Sequence, residues 1–162
     1  MKEPRHHETI VVGVDSSAAS AAAVRWAAAE ASRRGARLHA VRVVEHGRAA
    51  AISPESDLRL ELDLARRTVP GRVGDWVFNA GIEVDIAVSI VTGDVADQLA
   101  HETGDASLVV IGAPDALQHS GLPAKLACTC LCPVAVVGSL GDVTFVDAPV
   151  QPTAKEARHA RA

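Results

Sequence analysis

Short, nearly continuous apolar runs alternate along the chain with longer segments whose apolar residues recur every three or four positions. "TIVVGVD" (Thr9 to Asp15) is of the first kind, rich in Val, and suits a strand covered on both faces. "AASAAAVRWAAAEASRR" is of the second kind. Val24, Ala27, Ala28 and Ala31 form its stripe, Ser16 or Ser17 can cap its start, and Gly35 sits just past its end. "ARLHAVRVV" (Ala36 to Val44) reads as a second strand. From Leu58 to Ala80 the positions Leu58, Leu62, Ala65, Val69, Val73, Trp76 and Ala80 mark one buried helix face, which Pro70 and Gly71 are expected to kink or divide. The stretch "LRLELDL" also alternates with period two, but its helix formers and the longer stripe favour helix. "IEVDIAVSI" (Ile82 to Ile90) alternates apolar with polar or small residues, as an edge strand does. Gly93-Asp94 then turns into the helix "VADQLAHET", "ASLVVIGA" follows as a central strand, and a last short helix leads into "CPVAVV".

Strand alternating with helix in this way predicts a doubly wound α/β domain with a mainly parallel, five-stranded sheet. Ligands in such folds sit beyond the carboxyl ends of the strands, where the strand order reverses. The strands ending at Asp15 and Gly112 are the walls of that crevice. The segments divide the chain into a leader over 1–8, a single domain over 9–140 and a flexible tail over 141–162, where the pattern fades into "PVQPTAKEARHARA".

Composition narrows the function classes. With 16 Lys plus Arg against 20 Asp plus Glu, the net charge of -4 gives no general attraction to nucleic acid or to an anionic membrane. "MKEPRHHE" has no apolar core of a signal peptide, and no run approaches the roughly 18 apolar residues of a membrane span, so a cytoplasmic protein is expected. Cys128, Cys130 and Cys132 are bunched in "CTCLC" and make no disulfide framework. Three thiols at period two converge only on a strand, which Pro133 and the preceding helical segment oppose, and neither a C-x-x-C nor a paired histidine motif accompanies them. They are expected to be ordinary small buried residues, with no metal site. His39, His119, Asp15 and Ser120 could be drawn into a hydrolase-like triad, but there is no G-x-S-x-G elbow. The Walker and G-x-G-x-x-G patterns are absent as well.

Three blocks, "IVVGVDSSAASAAAVRWAAAEASRRGARLHAVRVV", "VTGDVADQLAHETGDASLVVIG" and "CPVAVV", resemble the universal stress protein family in order and spacing, over roughly Thr9 to Val137. The resemblance implies a three-layer sandwich like that of the adenine nucleotide α-hydrolases, with a sheet ordered 3-2-1-4-5, and a homodimer joined through the last strand, Pro133 to Val137. One branch of the family binds ATP and the other does not. The ATP-binding branch carries G-x2-G-x9-G-S/T after the fourth strand. Here Gly112 matches the first glycine, the second falls on Asp115, and counting straight on places the G-S/T pair on Lys125-Leu126. Aligning backwards from Cys132-Pro133 places it near Ser120-Gly121, with the loop about five residues shorter than the family's. Neither alignment restores the motif, and "IGAPDALQHSG" offers few of the consecutive amides that cradle an anion.

The resemblance also implies a remnant nucleotide pocket at Val14, Asp15, Ala40, Gly112 and Ser120. Asp15 matches the acidic residue facing ribose and phosphates, and Ala40 stands where the second strand lines the adenine. Asp15 is equally accounted for as a helix N-terminal carboxylate favoured by the dipole, and Ser120-Gly121 as the cap of the last helix. The expected function is therefore a non-enzymatic stress-response module, a homodimer acting through unidentified protein partners. No cofactor is expected beyond weak ATP or AMP binding. The alternative is a small-molecule or nucleotide sensor using the crevice beside Asp15 and Gly112.

Overall fold

In a computed structural model of the chain, which describes residues 7–45, 54–113 and 121–146, β1 (Thr9–Gly13), α1 (Ala18–Arg34), β2 (Arg37–Val44), α2 (Pro54–Asn79), β3 (Ile86–Thr92), α3 (Val95–Glu102), β4 (Ala106–Ala113), α4 (Leu122–Thr129), β5 (Val134–Gly138) and β6 (Val143–Val146) follow one another. The sheet order is β3-β2-β1-β4-β5-β6. The first five strands are parallel and ordered 3-2-1-4-5. β3 forms one edge, as expected, but it runs Ile86–Thr92 rather than from Ile82 to Ile90.

Strand alternation divides the core in two. Ile10, Val12, Leu38, Leu108, Val110 and Ala135 face the side that α1 and α2 cover, against Val24, Ala27, Ala28, Ala31, Val69 and Val73. Val11, Val41, Val43, Val109, Ile111 and Val134 face the other side, against Leu99, Leu126 and Ala127. The result is a three-layer α/β sandwich. Ala makes the α1 stripe flat, so the helix lies close to the sheet.

Local chemistry fixes the helix ends. Ser17 caps α1 by accepting from the Ser20 amide at 3.1 Å, and Gly35 closes it in the left-handed region at φ 66°. Asp94 caps α3 by accepting from the Asp97 amide at 3.1 Å. α2 runs through Pro70 without being divided. Pro70 is exposed, so the Arg66 carbonyl that loses its partner faces water, while Ala65, Val69, Val73 and Val77 keep the helix on the sheet.

Beyond β5 the structure differs from the expectation of a flexible tail after residue 140. Residues 143–146 form β6, antiparallel to β5 with Ala135 opposite Phe145 and Val137 opposite Val143. The turn between them is closed by the Gly138 amide, which donates to the Asp142 carbonyl at 2.8 Å. Val143 packs on one core cluster and Val146 on the other. Phe145 meets Trp26 edge to face, with ring centroids 6.2 Å apart. β5 is consequently no free edge: β4 and β6 take both of its ladders. A dimer pairing Pro133 to Val137 across two chains would first have to displace β6. Of the leader, only residues 7 and 8 fall within the described residues, and there the Glu8 carbonyl accepts from the Arg37 amide at 2.8 Å. Residues 147–162 lie outside them.

Candidate functional site

The strand order reverses between β1 and β4, and a crevice of about 830 Å³ opens beyond their carboxyl ends. Gly13, Val14 and Asp15 line it from β1 and its continuation, Ile111 and Gly112 from β4, and Val41 to Val43 from β2. Asp94, Val95 and Leu99 contribute from the α3 side, and Leu122 and Lys125 from α4.

The floor is held by backbone. Val14 N–H donates to the Val41 carbonyl at 2.9 Å, extending the pairing of β1 and β2 past Gly13. Arg42 Nη1 donates to the Val14 carbonyl at 3.5 Å, which lays the guanidinium beside the turn at Asp15. Asp15 Oδ1 accepts from the Ser17 amide at 2.7 Å, and the Asp15 amide donates to Ser20 Oγ at 2.9 Å. The carboxylate is therefore committed to the first turn of α1, where the helix dipole favours it, while still forming part of the crevice wall. Gly112 has a packing reason of its own: a Cβ there would stand 2.6 Å from the Ala19 carbonyl carbon and 2.8 Å from the Ser20 nitrogen. Only glycine lets β4 approach the start of α1 this closely.

Of the sequence-derived pocket residues, Val14, Asp15 and Gly112 come together in the crevice. Ala40 does not. It is fully buried on the α1–α2 side of the sheet, between Val12 and Val88, and the alternation of β2 presents Val41 and Val43 to the crevice side instead. Ser120, Asp115 and His119 lie outside the described residues. The cap of α4 falls on Gly121, which has no side chain to offer the helix amides.

Sequence reasoning missed the charged rim. Among the described residues the crevice is lined by the carboxylates of Asp15, Glu45, Glu61 and Asp94 against the cations Arg42 and Lys125. Asp94 occupies the N-terminus of α3 with its own carboxylate, so that end of the dipole is already satisfied.

His39 does not join Asp15. Its Nε2 lies 2.7 Å from Ser89 Oγ on β3 and 3.9 Å from Glu102 Oε2. Serine and glutamate both approach one ring nitrogen, whereas a relay needs them on opposite nitrogens. Among the described residues no group of three or more His, Cys, Asp or Glu side chains is placed to hold a metal ion. No helix among them is long and apolar enough to cross a membrane.

Comparison with known proteins agrees with this architecture. The model of the universal stress protein family matches residues 6–138. A universal stress protein of Mycobacterium tuberculosis is 30% identical over 145 residues, 85% of this chain and 51% of the relative, so the chain spans about half that protein's length. A solved structure from the same family from Burkholderia pseudomallei is similar with a TM-score of 0.63 at 28% identity, covering 83% of this chain and 98% of that one. A universal stress protein solved in complex with cAMP is similar with a TM-score of 0.58 at 25% identity, covering 82% and 98% of the two chains.

Proposed function

The chain belongs to the universal stress protein family, and from that premise we propose that it is a non-enzymatic, ligand-responsive module whose crevice accepts an adenine-bearing molecule with at most one phosphate and does not hold ATP tightly. The observation that carries this reading is the rim, where among the described residues Asp15, Glu45, Glu61 and Asp94 outnumber Arg42 and Lys125. Each unit-charge pair at contact distance is worth about 1 kcal/mol in water, and more in the lower dielectric of a cleft. A triphosphate brings roughly twice the charge of a monophosphate ester, which carries about -1.5 to -2, against these carboxylates, and a nucleoside brings none. The volume suits a ligand of this class. The family structure in complex with cAMP, a molecule with one phosphate, supports the same size and charge. The altered loop sequence after Gly112 supports it from the opposite direction, by offering no G-x2-G pair.

The output of the module is contact with protein partners as a cytoplasmic homodimer. β6 is the outer strand of the sheet, and Phe145 on it is 55% exposed, an apolar edge that proteins usually cover. The dimer therefore joins at β6 and not at β5.

Mass spectrometry of small molecules released from the purified, undialysed protein tests the ligand reading. An adenine-bearing compound with one or no phosphate in near-stoichiometric amount is the expected result. Stoichiometric ATP overturns it.

A further inference from the structure

We infer that Cys130 and Cys132, at the junction of α4 and β5, form a peroxide-sensitive dithiol that closes to a disulfide within the chain. The parallel strand order puts this junction at the opposite end of the sheet from the crevice. Cys130 leaves α4 in extended conformation, φ -83° and ψ 142°, and its amide donates to the Leu126 carbonyl at 2.8 Å. Three residues on, the Pro133 carbonyl accepts from the Val109 amide at 3.0 Å, so the segment is pinned at both ends.

Between the two thiols Leu131 stands 98% exposed, while Cys130 and Cys132 are both half-buried against the same apolar cluster around Leu126 and Val134. The chain bends at Leu131 and Cys132 instead of running on as a strand, which draws the Cα atoms of residues two apart below the roughly 6.5 Å of extended chain and into the range a disulfide spans. Neither thiol is an ordinary fully buried core residue, contrary to the expectation from sequence, and both are open to a small oxidant. Cys128 is exposed on the last turn of α4, ahead of that bend.

The two sulfurs differ in a way that assigns their roles. Burial, and then the neighbouring Cys130, push the Cys132 thiol up, leaving it the poorer nucleophile. Cys130 Sγ lies 3.4 Å from the Thr103 hydroxyl, a polar contact on the rim of the cluster. Cys130 thiolate attacks an oxygen of a hydroperoxide: an S–O bond forms, the O–O bond breaks, and the departing oxygen takes a proton to leave as alcohol or water. Cys132 sulfur then attacks the sulfenic sulfur, S–S forms, S–O breaks, and the hydroxyl leaves as water with the Cys132 proton. Two thiols lose two hydrogens and two electrons, and the peroxide gains them. A ring closed across a single intervening residue is strained and is therefore easily reduced again.

The test uses the reduced full chain treated with hydrogen peroxide, followed by alkylation and intact-mass measurement. The expected result is loss of two hydrogens and of two of the three alkylatable thiols, both restored by dithiothreitol. Trypsin leaves all three cysteines in one peptide after Lys125, and backbone fragmentation of the oxidised native peptide should be missing only between Cys130 and Cys132. Cys128→Ser should leave the closure intact, and Cys130→Ser or Cys132→Ser should abolish it. Retention of all three thiols, a disulfide mapped to Cys128, or a chain-to-chain linkage overturns the assignment.

Discussion

A methyl group at Gly112 has nowhere to go, because the atoms it would meet are the Ala19 carbonyl and the Ser20 nitrogen, which are backbone and cannot rotate aside. Gly112→Ala must push the start of α1 off β4, and overpacking of this kind costs roughly 1 to 3 kcal/mol. Chemical denaturation should show a midpoint lowered accordingly, and an unchanged midpoint would mean that β4 and α1 are less closely apposed. On the outer end of α1, Glu30 accepts from Arg33 at 2.7 Å and from Arg34 at 3.0 Å. Those bonds, Arg33 first, hold its carboxyl below the usual range of about 4.5. A depressed folded-state value stabilises above the unfolded pKa and is lost as pH falls through the folded one. Arg33 is 68% exposed, so solvent screening holds the contribution to a few tenths of a kcal/mol. Glu30→Gln should therefore lower stability slightly at neutral pH, and the difference from the native chain should vanish in acid. A difference that persists at low pH would point to lost packing instead.

At the scale of elements, the largest consequence is β6. It covers the ladder of β5, places Val143 and Val146 on the two cores and gives Trp26 its aromatic neighbour. Truncation after Leu140 removes these partly buried side chains, worth about 2 to 4 kcal/mol together. The melting temperature should fall by roughly 5 to 10 °C in a chain of this size, and an unchanged value would show that β6 contributes nothing. The five parallel strands and four helices were legible because each repeats its period several times: Val11 and Val109 belong to runs apolar on both faces, and Val24, Ala27 and Ala31 to a stripe. β6 was not, since four residues between Gly141 and Pro149 give too few positions to establish a period. What identifies it is its partner, and strand pairing is a tertiary fact. Of the two outcomes expected at Pro70, a kink or a division, the helix is not divided: Pro70 faces solvent while Val69 and Val73 are buried.

For the whole molecule, the position of the crevice was legible and its charge was not. Asp15 and Gly112 end the central strands, so the topology alone brings them together. Ala40 and the crevice-lining Val41 are one residue apart, which in a strand puts them on opposite faces of the sheet. Glu45, Glu61, Asp94 and Lys125 come from four separate segments, and no local pattern announces that they share a rim. Assembly is a second consequence at this scale. Light scattering should give a dimer, and Phe145→Lys, which puts charge on the outer strand, should shift it toward monomer. A native monomer would contradict a dimer joined at β6.

The most direct test of the account is calorimetric titration of the native chain with magnesium-free ATP, which keeps its full charge, and with AMP under identical conditions. The acidic rim predicts that AMP binds at least tenfold more tightly than ATP, a difference of about 1.4 kcal/mol, and that ATP shows no low-micromolar affinity. Removing two rim charges while keeping the cap of α3, in the double variant Asp15→Asn and Asp94→Asn, should narrow that gap. ATP binding the native chain in the low micromolar range, or more tightly than AMP, would contradict the claim that this crevice rejects a triphosphate.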